Sequence, residues 1–114
     1  MSAARLATSV LASALARRAE AEGGFAAFLA KGDANAGALL VILLEKGGNP
    51  RIFERILQSE GRYAWRESAQ KAAANAEELD KFLARRREND PDLWVLELDI
   101  PFSERFAAEM NALD

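Results

Sequence analysis

Three aspartates stand where carboxylates could do chemistry: Asp33 in the loop GDANAG (32–37), and Asp90 and Asp92 on either side of Pro91. Oxygen donors in such loops can hold magnesium or calcium, because hard cations take carboxylate and carbonyl ligands. If Asp33 and Asp92 met in space, their mutual repulsion would raise one pKa or recruit a cation. The same residue types are ordinary turn formers, since an Asp side chain bonds its own backbone while Gly and Pro set turn dihedrals. Asp33, Asp90 and Asp92 are thus the metal candidates, with a carboxylate- and magnesium-dependent enzyme as the function they would serve, and turn formation as the plainer role.

The chain contains neither Cys nor His. Thiol nucleophiles, thiolate metal sites, disulfides and imidazole bases are therefore excluded. A serine nucleophile would then need a Lys base; one Ser-x-x-Lys spacing occurs, Ser68-Ala69-Gln70-Lys71, and that spacing alone does not assign catalysis. The GDANAG loop lacks the Gly-x-x-x-x-Gly-Lys order of a phosphate loop and leads into a strand pattern, whereas a phosphate loop works through amides at a helix N-terminus. No catalytic residue and no cofactor are assigned.

Arg51, Arg55, Arg62 and Arg66 lie close to Tyr63 and Trp65, the types that combine phosphate contact with base stacking. Strand alternation sends Tyr63 and Trp65 to the side opposite Arg62 and Arg66. Aromatics pointing inward beside solvated arginines is the competing reading. With 15 Lys and Arg against 18 Asp and Glu, the net charge is −3, so the overall field does not attract polyanions and a nucleic-acid partner is disfavoured. A third candidate surface is the terminal stripe of Phe102, Phe106, Met110 and Leu113. It either covers this domain's own sheet or docks on a protein partner or a second copy.

The elements that must position these residues follow from hydrophobic period and turn chemistry. A helix is expected from about Leu6 to Glu22, with Leu6, Val10, Leu11, Ala14 and Leu15 on one side and Gly23-Gly24 ending it. The same opening residues make a weak secretory signal, but Thr8, Ser9 and Ser13 dilute its apolar run, and the amphipathic helix explains them better. Phe25–Lys31 and Ala38–Lys46 read as a hairpin around the GDANAG turn. Residues 39–44 are apolar without alternation, which places that strand at the centre of a sheet, buried on both faces. Gly47-Gly48-Asn49-Pro50 is the next turn, Arg51–Gln58 a strand whose apolar spacing also fits a helix, and Arg62–Glu67 an alternating strand. A helix capped by Asn75 and Glu78 carries Leu79, Phe82 and Leu83 and stops before Pro91. Leu93–Ile100 alternates, with Trp94, Leu96, Leu98 and Ile100 on one face, and the chain closes in a short amphipathic helix.

The segments RRAEAEGGFA (17–26), KGDANAGALLVIL (31–43), GRYAWRE (61–67) and RRRENDPDLWVLELD (85–99) resemble a small alphaproteobacterial family, the domain of unknown function numbered 1491. The resemblance runs from about Arg5 to Asp99. Asn35 replaces an Asp associated with that position in the family, which weakens a carboxylate cluster there. The resemblance implies a mature, cytoplasmic, single-domain bacterial protein and brings no established activity.

Residues 1–114 are accordingly expected to form one α+β domain, with a mostly antiparallel sheet of four or five strands covered by two longer helices and a short C-terminal one. No apolar run approaches the ~20 residues of a membrane span, so a soluble protein is expected. The favoured function is a non-catalytic binding or adaptor role, with an unknown protein or a second copy as partner. Weak nucleic-acid binding through Arg51, Arg55, Arg62, Arg66 and Trp65 is the alternative.

Overall fold

The computed structural model describes residues 7–68 and 71–110. Helix α1 (Thr8–Ala21) buries Leu11, Ala12, Leu15, Ala16 and Ala19, a stripe that recurs every three to four residues as one helix face must. Val10, expected on that stripe, is 49% exposed; the buried face is centred about one residue further round, where alanines let the helix approach closely. Gly23 ends α1 with φ +87°. Its N–H donates to the Glu20 carbonyl at 3.0 Å and that of Gly24 to Ala19 at 2.9 Å, the paired bonds of a Schellman cap.

Five strands follow in chain order: β1 (Phe25–Ala30), β2 (Leu39–Glu45), β3 (Gly48–Leu57), β4 (Tyr63–Ser68) and, after helix α2 (Ala76–Asn89), β5 (Trp94–Ile100). The sheet order is β1-β5-β2-β3-β4, antiparallel except for the parallel β2–β5 pair. The expected β1–β2 hairpin is therefore wrong, because β5 lies between them. Leu39 to Leu43 are all at most 1% exposed, so β2 needs apolar neighbours on both sides. Strand β5 supplies Leu96, Leu98 and Ile100 to one face and Val95 to the other, whereas three of the six β1 residues are alanine. The parallel pairing requires a long crossover, which β3, β4 and α2 provide.

Strands β2 and β3 are joined by Lys46-Gly47 alone, both at positive φ, as two-residue hairpin turns demand. The turn is thus earlier and tighter than the expected Gly47–Pro50, and β3 already begins at Gly48. The register slips between Leu43 and Glu45 where Asn49, also at positive φ, adds an extra residue. Residues 51–57, whose period fitted helix or strand, are strand.

The β2 side chains divide the core. Leu39, Val41 and Leu43 join Leu96 and Leu98 of β5 under α1 and helix α3 (Ser103–Met110), whereas Leu40 and Ile42 join Ile52 and Val95 under Leu79, Phe82 and Leu83 of α2. Asn75 caps α2, its Oδ1 accepting the Glu78 N–H at 2.8 Å. Arg86 then ties α2 to β3 through Glu54 at 2.8 Å.

Candidate binding surface

The connection from β1 to β2 passes over the start of β5, and this crossing explains the glycines of the 32–37 loop. A Cβ on Gly32 would lie 1.8 Å from the Asp92 carbonyl oxygen, and one on Gly37 would lie 2.2 Å from it. The loop's carbonyls are spent on structure. Asp33 O accepts the Trp94 indole N–H at 2.7 Å, Ala34 O the Ser9 N–H at 3.0 Å, and Gly37 O the buried Thr8 hydroxyl at 2.7 Å. The α1 N-terminus thus rests on the loop's carbonyls, the reverse of a phosphate cradle.

The two acidic loops meet through their backbones, the Asp33 N–H donating to the Asp92 carbonyl at 3.2 Å. Their carboxylates turn to local amides. Asp33 Oδ2 accepts the N–H groups of Asn35 at 3.2 Å and Ala36 at 2.8 Å, and Asp90 Oδ1 that of Asp92 at 3.1 Å. Among the described residues no group of three acidic side chains is arranged to hold a metal ion.

The arginine-bearing strands have a face that strand-by-strand alternation could not reveal. Arg55 pairs with Trp65 across β3–β4 and Phe53 with Glu67, so Arg51, Phe53 and Arg55 share a side with Tyr63, Trp65 and Glu67. The Arg55 guanidinium lies 4.0 Å from the Tyr63 ring centroid, and that of Arg51 lies 5.1 Å from the ring of Phe53. Arg51 also grips Glu67 with two 2.9 Å hydrogen bonds. These bonds hold the Glu67 carboxyl below its usual range and raise the Arg51 guanidinium, so the pair cancels its own charge. Arg66 is opposite Glu54 on the other face and Arg62 precedes β4; both are exposed. The five residues Arg51, Arg55, Arg62, Arg66 and Trp65 are not brought to one surface.

At the end of the chain, Phe106 and Met110 of α3 are buried against the α1 side of the sheet. Phe102 precedes the helix and is 58% exposed; Leu113 lies outside the described residues. Glu45, at the end of β2, accepts the Ser103 N–H at 3.0 Å and its hydroxyl at 3.1 Å, and these bonds hold its carboxyl below the usual range. A carboxylate there also complements the positive end of the helix. Arg18 of α1 pairs with Glu109 of α3, and Arg105 approaches Glu22 at 3.6 Å.

A groove of about 710 Å³ runs beside these groups, lined by Glu45, Arg51, Glu67, Ser103 and Glu104. The Glu45 and Glu67 shifts both favour the charged carboxylate. A general acid working near neutral pH needs the opposite.

Strand β1 is the surface that sequence reading missed. Its six residues, Phe-Ala-Ala-Phe-Leu-Ala, carry no charge and no proline, and it forms one edge of the sheet. Phe25 is 75% exposed and Leu29 42%; the register slips between Phe28 and Ala30, at Leu29. Phe28 meets Trp94 edge-on at 6.1 Å. The opposite edge, β4, carries Arg66 and Glu67, the charges that ordinarily protect an edge from pairing with another chain. An uncharged apolar strand was a usable signal, but only the strand order shows that β1 is an edge.

A five-stranded sheet with helices on both faces and one open apolar edge defines a small α+β domain. The family model described as "Protein of unknown function (DUF1491)" matches residues 6–108, and the chain belongs to that family. A crystal structure of a DUF1491 family protein from Caulobacter crescentus CB15 superposes with a TM-score of 0.78 at 34% identity, covering 90% of this chain and 94% of that one. An NMR structure of a DUF1491 family protein from the same organism gives 0.78 at 33%, covering 91% and 94%. The solution structure of protein Atu0922 from A. tumefaciens gives 0.67 at 34%, covering 84% and 86%. Among curated proteins none matches. Among the described residues no helix is long and apolar enough to cross a membrane.

Proposed function

We propose that this protein is a non-catalytic binding or adaptor module of the cytoplasm, whose binding element is β1. It takes an extended apolar segment of a partner protein as a further strand. The observation that carries this reading is the contrast between the two edges: β1 is uncharged with Phe25 and Leu29 exposed, while β4 is charged. Strand addition draws affinity from main-chain hydrogen bonds and specificity from alternate side chains, and an edge left open is what it requires. The absence of Cys supports a reducing compartment.

The test is affinity capture from native cell extract, with the wild type and with Phe25→Lys/Leu29→Lys as baits, each with and without nuclease. The wild type should hold a nuclease-resistant protein that the variant loses, and that protein should protect the amides of residues 25–30 from hydrogen exchange. Equal capture by both baits, or capture that nuclease abolishes, would overturn the reading. The second outcome would favour nucleic acid on the face that carries Arg51, Arg55, Tyr63 and Trp65.

A further inference from the structure

Resting on that reading of β1, we infer that the partner segment, apolar elsewhere, carries one lysine or arginine, placed opposite Ala27 and reaching over it to Glu97. The regular part of the ladder fixes that place. Phe25, Ala26, Ala27 and Phe28 pair in step with Asp99, Leu98, Glu97 and Leu96, ahead of the bulge at Leu29. Ala26 and Phe28 turn to the α1 side, Ala26 against its core and Phe28 against Trp94. Phe25 and Ala27 therefore project to the α2 side, where both are exposed. On that side Ala27 lies beside Glu97, and Glu97 beside Ile42 of β2.

Glu97 is a half-buried carboxylate on an interior strand, and its side chain makes no ion pair among the described residues. Arg86 of α2, on the same face, goes to Glu54. Asp99, two positions along, adds a second negative charge there, with its Oδ1 accepting the Gly47 N–H at 3.1 Å. A carboxylate partly withdrawn from water beside a like charge is stabilised by an incoming cation. Neighbouring strands lie about 4.8 Å apart, so the residue opposite Ala27 starts about 9.6 Å from Glu97. Ala27 interposes only a methyl group. A Lys or Arg side chain spans that gap with its stem packed on Ala27 and the exposed Phe25 ring and its charge at Glu97. Parallel and antiparallel addition place this residue on the same face. Strand β1 itself carries no charge, so a second copy paired through β1 does not supply the cation.

Selection of peptides of about ten residues from a random library, with the full chain as bait, tests the inference. The wild type should enrich sequences with Lys or Arg at one position and apolar residues two places away, and these should protect amides within 25–28 from hydrogen exchange. With Glu97→Lys as bait the same position should turn acidic, and with Glu97→Gln its preference should vanish, both variants keeping the wild-type circular dichroism spectrum. Because a variant can lose its fold, the peptide supplies an independent reading: replacing its basic residue by glutamine should weaken binding to the wild type at least ~3-fold. Peptides that protect 25–28 without a basic preference, or with one that Glu97→Gln leaves intact, would overturn the cation while strand addition survives. If no selected peptide protects 25–28, both readings fall.

Discussion

Replacing Leu40 and Leu43 of β2 separately by alanine tests the two-sided core with identical chemistry on opposite faces. Both side chains are fully buried, Leu40 against the α2 side and Leu43 against the α1 and α3 side. Removing a buried leucine costs its transfer free energy plus the cavity left behind, roughly 2–5 kcal/mol. In a strand with one wet face, one of the two substitutions would change stability by no more than ~0.5 kcal/mol. Here each should cost at least ~2 kcal/mol in urea unfolding followed by far-ultraviolet circular dichroism. Their sum, roughly 4–10 kcal/mol, approaches the ~5–15 kcal/mol total of an ordinary domain, so the double variant should be largely unfolded. A loss below ~1 kcal/mol for either single substitution would refute burial on both faces.

Two further perturbations address charged groups. The Glu67 carboxyl lies below its ordinary range because Arg51 donates two hydrogen bonds to it. Its folded pKa is below the unfolded value, so the pair's stabilisation is complete above an unfolded value of about 4.3 and fades as pH falls through the folded one. The side chains are about one-third exposed, and screening keeps the contribution small. An NMR titration should show the Glu67 midpoint rise towards the ordinary value in Arg51→Ala; an unmoved midpoint would refute the assignment. Asp33→Ala removes the acceptor of the Asn35 and Ala36 amides and should lower stability by about 0.5–1.5 kcal/mol, equally with and without millimolar magnesium. A loss that appears only in magnesium would show instead that the carboxylate serves a cation.

Much of the architecture could be read from local pattern. Residues 39–44 show no alternation, and a strand with apolar side chains on both sides can rest only at a sheet centre with cover above and below. Asn75 with Glu78, and Gly23 with Gly24, mark helix ends through hydrogen bonds that span a few residues. The alternation of Trp94, Leu96, Leu98 and Ile100 assigns their face because the strand period is two.

The sequence by itself determined most of the helices and strands and the doubly buried character of β2, because these depend on neighbours within a few positions; the type of residues 51–57, the turn at Lys46-Gly47 and the solvent-facing place of Val10 were settled by packing. Only the tertiary structure decided which strands pair. Inserting β5 between β1 and β2 pairs Leu96 with Phe28 on one side and with Val41 on the other, partners far apart in sequence, and it is settled by competition for burial beside β2 rather than by the turn at 32–37. That same competition leaves β1 at the rim, while the register of the β3–β4 ladder puts Arg51 and Arg55 on the face of Trp65.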